Sequence, residues 1–171
     1  MFYALLLTSE TDFMSAEETI KKLDLIRHEE GGWFKETYRS PEEIDCPDRK
    51  GGKRSLLTTI HYMLDQDRPH GLLHRNKSPI IHFYEGGGLL RYVTVSPEGE
   101  LSEALLGEGH ERQLTVPGGF WKASELLSGD YGLVGEAVSP GFDYRDWEIA
   151  KRDEIAKLYP EHIEALKPFL P

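Results

Sequence analysis

The sequence has 171 residues, of which 39% are hydrophobic and 29% are charged. This balance is typical of one globular domain and excludes a disordered or fibrous chain. With 20 basic and 30 acidic residues, the net charge of -10 disfavours nucleic acid and anionic membrane surfaces as partners. The single cysteine, Cys46, excludes an internal disulfide and indicates a reducing, cytoplasmic location.

The chain opens with an apolar stretch at residues 2–7. No basic residue precedes it, and it is too short for a signal sequence or a membrane span. We predict that residues 1–14 form an edge segment that packs on the body of the protein or on a second copy of the chain, because either arrangement buries its apolar side chains.

A helix is predicted over residues 15–30. Ser15 and Glu18 form a capping-box pattern, and apolar residues recur at helical spacing as far as Ile26. The glycine pair at 31–32 is predicted to end this helix.

The region 31–140 changes to a period of two and is predicted to form a barrel of short strands. Glycine and proline turns separate these strands at short intervals, a pattern typical of antiparallel sandwiches and barrels. The predicted strands are 33–39, 54–64, 71–77, 80–85, 89–95, 101–106, 112–116, 120–126 and 131–138. A helical tail over 141–171, with helices at 146–159 and 161–166, completes one mainly β domain.

Side-chain alternation predicts which residues share a face of a strand. His74 and Asn76 lie on one face of their strand, and Ser78, Ile80 and His82 continue that face if no bulge intervenes. In a small barrel this face points inward, so His74 and His82 are both candidates for the lumen.

Several sequence landmarks together resemble the cupins, and specifically the cupin-5 family, a domain of unknown function. The resemblance covers roughly residues 26–150. Its landmarks are Glu30–Ser40 (EGGWFKETYRS), His74–Ser78 (HRNKS), Val116–Trp121 (VPGGFW), Gly129–Gly135 (GDYGLVG) and Val138–Trp147 (VSPGFDYRDW). It implies a cupin-type jelly-roll β-barrel, usually a homodimer, with a small-molecule pocket inside.

The chain departs from the general cupin metal pattern, which requires a His-x-His pair, a later glutamate and a second-motif histidine. His74 is retained, but Asn76, Ile80 and Lys122 occupy the other three positions. Because transition-metal sites usually need three or four N, O or S ligands, we expect no metal and no other cofactor.

His74 is the candidate catalytic residue, because an imidazole titrates near neutral pH and can act as a general base. Lys122 beside Trp121 suggests an anionic ligand next to an aromatic face, although Trp121 also suits the barrel core. The candidate ligand-binding residues are Tyr38, Arg54, Tyr62, Ser78, His82, Trp121 and Lys122.

Three functions remain open at this point. The first is a metal-independent isomerase or epimerase acting on an anionic carbonyl or sugar-nucleotide-like ligand, with His74 as base and Tyr38 or Tyr62 returning the proton. The second is a non-enzymatic module that binds or senses a small molecule. The third is a metal-dependent oxygenase, which requires His82 and Glu85 to rebuild the metal site although they have opposite parity on a regular strand.

Overall fold

A computed structural model describes residues 14–171. Apart from Met14, the N-terminal edge segment predicted over 1–14 lies outside the described residues. Within this range there is no helix of the length and apolarity needed to cross a membrane. The strands are β1 (Ile26–Arg27), β2 (Trp33–Arg39), β3 (Glu43–Asp45), β4 (Lys53–Ser55), β5 (Thr58–Asp65), β6 (His70–Asn76), β7 (Ile80–Gly87), β8 (Leu90–Val95), β9 (Leu101–Leu106), β10 (Gln113–Val116), β11 (Trp121–Leu126), β12 (Tyr131–Val138) and β13 (Trp147–Ile149). The α-helices are α1 (Ala16–Leu23), α2 (Arg152–Leu158) and α3 (Ile163–Leu166).

The strands form two antiparallel sheets that pack face to face. One has the order β1-β2-β5-β12-β7-β10 and the other β13-β6-β11-β8-β9, while β3 and β4 form a separate hairpin. This order alternates strands that are distant in the chain, as in a jelly roll. The predicted mainly β jelly-roll fold is confirmed, but the two sheets share no hydrogen-bonded edge among the described residues, so the expected closed barrel is corrected to a sandwich.

The first helix begins as predicted and ends earlier than predicted. Ser15 caps α1 in a full capping box with Glu18. Asp24 adopts the left-handed conformation with φ 53° and ends the helix after Leu23, so the predicted end at residue 30 is wrong. Ile26, expected on the apolar face of that helix, lies in β1 and is 56% exposed.

The C-terminal tail is less helical than predicted. The expected helix over 146–159 is replaced by β13, which pairs with β6, and by the short helix α2. The tail covers the outer face of the five-stranded sheet, where Ile155, Leu166 and Phe169 pack in one buried cluster with Leu73 and Trp121.

The space between the sheets is filled at one end and hollow at the other. The filled end is an apolar cluster built around Tyr62, Leu64, Tyr92 and Val134. At the hollow end, the inward-facing residues of the same two strands are Thr58 and Ile60 on β5 and Glu136 and Val138 on β12. A cavity therefore follows from where the large side chains stop.

A buried ion pair joins the β3–β4 hairpin to the segment that precedes β13. Arg54 donates from Nε and Nη2 to the two carboxylate oxygens of Asp146, at 2.7 Å each. Arg49 adds contacts to Asp146 at 3.2 Å and to Ser78 Oγ at 2.7 Å. Since the side chains of Arg54 and Asp146 are each 1% exposed, neither charge has water as an alternative partner.

We predict that Asp146→Asn lowers the free energy of unfolding by about 3 kcal/mol, because the buried Arg54 guanidinium loses its two-point partner and keeps only the more distant Asp143 carboxylate, 4.0 Å away. Urea denaturation measures this loss. The matched control is Glu148→Gln, which removes the partner of the half-exposed Arg75 and should cost less than about 1 kcal/mol. Equal losses in the two variants would contradict the prediction.

Candidate functional site

The hollow end of the sandwich contains a cavity of about 330 Å³. Its walls combine apolar and aromatic side chains with a group of titratable residues, as in small-molecule sites. The lining residues are His28, Glu30, Phe34, Glu36, Arg39, Thr58, Ile60, His74, Asn76, Ile80, Lys122, Glu136, Val138, Phe142, Asp143, Tyr144 and Trp147.

Lys122, Glu136 and His82 form a buried charged cluster between the sheets. Lys122 Nζ lies 3.6 Å from Glu136 Oε1 and 3.3 Å from His82 Nε2. His82 Nδ1 lies 3.0 Å from the same Glu136 oxygen, and Glu136 and His82 are direct partners across β12 and β7. The ammonium therefore faces the lone pair of His82 Nε2, which places the ring hydrogen on Nδ1. Nδ1 is close to Glu136 but does not have the geometry of a hydrogen bond to it.

The protonation states of the three groups in this cluster depend on one another. Burial alone would raise the pKa of Glu136, but the Lys122 ammonium and His82 outweigh it and hold that pKa well below its usual range. Burial and the same ammonium lower the pKa of His82. The cluster is thus a carboxylate–ammonium pair beside a neutral imidazole at neutral pH.

Glu30 and His74 form a second buried pair in the cavity. His74 Nε2 lies 3.3 Å from Glu30 Oε1, which also accepts a hydrogen bond from the Trp147 indole. One backbone segment positions both residues, because the Leu72 N–H donates to the Glu30 carbonyl at 2.6 Å and the Leu72 carbonyl accepts from His74 Nδ1 at 2.7 Å.

In this pair the proton belongs to Glu30 rather than to His74. Burial raises the pKa of Glu30 to about 7, and burial together with Lys122 lowers the pKa of His74 well below its ordinary value. Since His74 donates from Nδ1, its Nε2 is an acceptor, and protonated Glu30 is the donor that matches it. A buried carboxyl group with a pKa near 7 is suited to acid–base chemistry at neutral pH.

Among the predicted site residues, His74 and Lys122 line the cavity and His82 lies directly behind Lys122 and Glu136. Ser78 is buried next to the cavity, where its hydroxyl donates to the Pro140 carbonyl at 2.6 Å. Its neighbour Asn76 does line the wall.

Tyr38 points away from the cavity and is 49% exposed. The register of β2 against β5 shifts between Glu36 and Tyr38, so a β-bulge reverses the alternation that placed Tyr38 on the inward face. Arg39 takes the inward position instead and pairs with Glu36 at 2.6 Å. The sequence-based placement of Tyr38 is therefore corrected.

Arg54, Tyr62 and Trp121 are buried but do not line the cavity. Arg54 is bound to Asp146 in the hairpin ion pair. Tyr62 fills the apolar end of the interior. The Trp121 ring packs under the C-terminal helices with Arg75 4.5 Å above it. Their expected positions in the pocket are corrected by these contacts.

Three cavity residues, His28, Glu30 and Glu136, were not among the candidates predicted from the sequence. Glu136 has the same parity as Val134 and Val138 on a correctly predicted strand, so alternation alone indicates its inward direction. His28 and Glu30 were assigned to a helix that does not extend so far. The sequence feature that indicates a turn at Glu30 is the glycine pair that follows it. Gly31 has φ 100°, and a Cβ there would come within 2.5 Å of the His70 carbonyl oxygen.

The donor set does not fit a divalent metal ion of the kind that many cupins hold. Lys122 places an ammonium against His82 and Glu136, the two groups that would otherwise serve as ligands. Glu85, considered above as a replacement ligand, lies near the outer surface and contacts His61 at 2.8 Å. Between residues 14 and 171, no three His, Cys, Asp or Glu side chains are grouped as metal ligands.

Comparisons with known proteins agree with this architecture. Residues 17–150 match Cupin_5, a family of the cupin superfamily (DUF985). An uncharacterized protein of Saccharomyces cerevisiae is 38% identical, covering 84% of this chain and 79% of that protein. The structure of a hypothetical protein from Leishmania major has a TM-score of 0.84 at 32% identity and covers 92% of this chain and 99% of its own. Oxalate decarboxylase of Bacillus subtilis, at 18% identity and a TM-score of 0.53 over 84% of this chain and 36% of that one, shares the cupin fold alone.

We predict that Glu30→Gln changes how stability depends on pH. Because the pKa of Glu30 is raised from 4.5 in the unfolded chain to about 7 in the folded protein, its contribution to stability is complete below pH 4.5 and is lost as the pH rises through 7. The free energy of unfolding of the variant, relative to that of wild type, should therefore increase by up to about 3 kcal/mol between pH 4.5 and 8. Urea denaturation across this range measures it.

The control for that experiment is Glu36→Gln, which removes a half-exposed carboxylate from the same cavity. The difference in the free energy of unfolding between this variant and wild type should stay nearly constant over the same pH range. A Glu30→Gln difference that is equally flat would show that Glu30 ionises as in the unfolded chain.

We also predict that Zn²⁺, Ni²⁺, Fe²⁺ or Mn²⁺ added to EDTA-treated protein leaves the melting temperature unchanged, because the Lys122 ammonium repels a cation at this position. Specific binding at 100 times the Kd would stabilise the fold by about 2.7 kcal/mol. A metal-dependent rise of that size would contradict this interpretation of the donor set.

Proposed function

The chain belongs to the Cupin_5 family (DUF985) of the cupin superfamily, and from this premise and the chemistry of its cavity we propose a metal-independent proton-transfer enzyme of the isomerase type. Its substrate is a small carbonyl compound held between the two sheets. The observation that carries the proposal is the Glu30–His74 pair, 3.3 Å apart, in the same cavity as the Lys122 ammonium.

The residues divide the chemistry between them. Glu30 is the stronger candidate for the base, since its pKa of about 7 matches the working pH, whereas the lowered pKa of His74 makes it a weak base. Ionised Glu30 removes a proton from the carbon next to the carbonyl group. The Trp147 indole N–H holds that carboxylate in place, and His74 Nε2 faces it as the acceptor for the carboxyl proton once Glu30 is protonated. The catalytic base expected from the sequence, His74, becomes a partner of the base.

Lys122 supplies the positive charge that a metal ion supplies in other enzymes that enolise carbonyl compounds. A fixed ammonium in a water-excluded site stabilises the negative charge that develops on the carbonyl oxygen in the transition state. A positioned base contributes about 10²- to 10⁴-fold to the rate, so this electrostatic contribution is needed as well.

The cavity favours a compact substrate over the sugar-nucleotide-like anion expected from the sequence. Its volume of about 330 Å³ is near the lower end of the range for ligand pockets. The cationic groups that line it are already paired, Lys122 with Glu136 and Arg39 with Glu36. Arg54, a candidate ligand-binding residue from the sequence, lies in a separate ion pair.

Deuterium incorporation tests the proposal even though the natural substrate is unidentified. Pyruvate, hydroxyacetone, glyceraldehyde and dihydroxyacetone are incubated with the protein in D₂O, and loss of the α-proton signal is followed by NMR and corrected for exchange in buffer. We expect enzyme-dependent exchange that increases with pH through about 7 and falls at least about 10²-fold in Glu30→Gln. The control variant Glu148→Gln, which removes a half-exposed carboxylate outside the cavity, should retain the exchange.

Two results would refute catalysis of this kind: no enzyme-dependent exchange in any of the four compounds, or equal exchange in Glu30→Gln and wild type.

A non-enzymatic binding module is the second candidate, favoured by the paired charges and by the apolar wall of Phe34, Ile60, Ile80 and Val138. One of these compounds raising the melting temperature without any exchange would support that alternative.

A further inference from the structure

His28 is a second imidazole in the cavity wall and has no part in the function proposed so far. Its ring lines the cavity and makes edge contacts with Phe34 at 4.5 Å and with Tyr62 at 6.1 Å between ring centroids. Two aromatic neighbours on nearly perpendicular planes hold the ring in one orientation. The side chain of His28 is only 8% exposed.

Backbone hydrogen bonds select opposite tautomers for the two imidazoles. The Glu30 N–H donates to His28 Nδ1 at 3.2 Å, so Nδ1 is an acceptor and Nε2 carries the hydrogen. His74 donates from Nδ1 to the Leu72 carbonyl, so its Nε2 is the acceptor. His28, whose ring lines the cavity, is therefore a neutral N–H donor through Nε2, whereas His74 is an acceptor through Nε2.

The contacts of Glu30 leave one of its oxygens available. Oε1 accepts a hydrogen bond from the Trp147 indole and lies 3.3 Å from His74 Nε2. Oε2 has His28 Nδ1 at 3.7 Å, which is beyond hydrogen-bond distance. Burial, the largest influence on the ring, lowers the pKa of His28, so the imidazole next to this oxygen stays neutral.

We propose that His28 is a further catalytic residue, a neutral N–H donor to the oxygens of an α-hydroxycarbonyl substrate, and that the reaction is a 1,2-proton transfer with Glu30 as the single base. This inference rests on the proposed function and narrows its substrate class. A carboxylate base next to a neutral imidazole donor is a combination that supports enolisation at neutral pH.

The steps balance without a cofactor. Glu30 takes the proton from the carbon that bears the hydroxyl group, and the electron pair of that C–H bond forms the C=C bond of an enediol. The Nε2 proton of His28 goes to the former carbonyl oxygen. Nε2 then recovers the proton of the adjacent hydroxyl, whose O–H electron pair forms the new C=O bond, and the proton on Glu30 returns to the other carbon as the C=C bond becomes single.

The placement of the tyrosines favours this reaction over epimerisation. Inversion at one carbon needs an acid on the face opposite the base. Tyr38 and Tyr62, the residues expected to return a proton, do not line the cavity, and Tyr144, which does, is 54% exposed. A 1,2-transfer needs one base on one face and a donor between the two oxygens, which Glu30 and His28 provide.

The tautomer of His28 is measurable without any substrate. In protein labelled with ¹⁵N-histidine, we expect the His28 signals at pH 8 to show a protonated Nε2 and an unprotonated Nδ1, and the His74 signals to show the reverse. The loss of one set of signals in His28→Gln assigns them. An Nδ1–H tautomer at His28 would overturn the inference whatever the fate of the enzymatic proposal.

The catalytic role is tested by the interconversion of glyceraldehyde and dihydroxyacetone. His28→Asn keeps a polar atom near Nδ1 and removes the donor at Nε2, while His28→Gln places an amide N–H near the position of Nε2. We expect His28→Asn to lose at least about 10²-fold in rate and His28→Gln to retain most of it, with both variants folded by circular dichroism. Equal rates in His28→Asn and wild type would overturn the inference.

The exchange experiment with pyruvate distinguishes failure of the inference about His28 from failure of the proposed function. If pyruvate, which has no α-hydroxyl group, exchanges its methyl protons in a Glu30-dependent way while the two trioses do not interconvert, only the inference about His28 and the substrate class fails. If none of the carbonyl compounds exchanges, the proposed function fails with it.

Discussion

Lys122 and Glu136 face each other from the two sheets of the jelly roll, and both charges are almost completely removed from water. Burying either charge alone would cost several kcal/mol, so each depends on the other and on His82 behind them. The ammonium then influences the buried groups around it: it lowers the pKa of His74 and His82 and keeps Glu136 ionised. The protein in this way provides its own cation at the centre of the fold.

The cavity exists because this charged cluster lies next to a well-packed apolar core. On β5 and β12 the inward positions change from Tyr62 and Val134 to Ile60 and Glu136, and beyond that point the side chains no longer meet across the interior. Close packing at one end and hollow space at the other give the strand residues of the cavity fixed positions, which is a favourable arrangement for a functional site.

Alternation along the strands predicted much of this arrangement. His74 and His82 were placed on the inward face correctly, and the jelly roll followed from the strand and turn pattern. Tyr38 was misplaced because a single-residue bulge reverses parity and leaves no clear trace in composition. Trp121 was misplaced because it was assigned to the pocket together with Lys122, although neighbouring residues of a strand point to opposite faces; Lys122 faces the cavity, so Trp121 faces the C-terminal tail. The tail itself was predicted as helix because β13 is only three residues long and acquires its structure by pairing with β6.

Glu30, the proposed base, is not predictable from the sequence pattern for a related reason. Glu30 lies in a turn, where no periodicity applies, and its properties come from groups that are distant in sequence: Trp147 from the end of the sandwich and His74 from β6. The turn itself is shaped by the close approach of Gly31 to the backbone of His70, which brings the Glu30 carbonyl to the Leu72 N–H. The proposed chemistry therefore depends on His28 and Glu30, which lie in the segment between β1 and β2 rather than on the long strands of the two sheets. One fold can carry unrelated activities in this way, because the strands need only keep their packing while the flanking turns change the reacting groups.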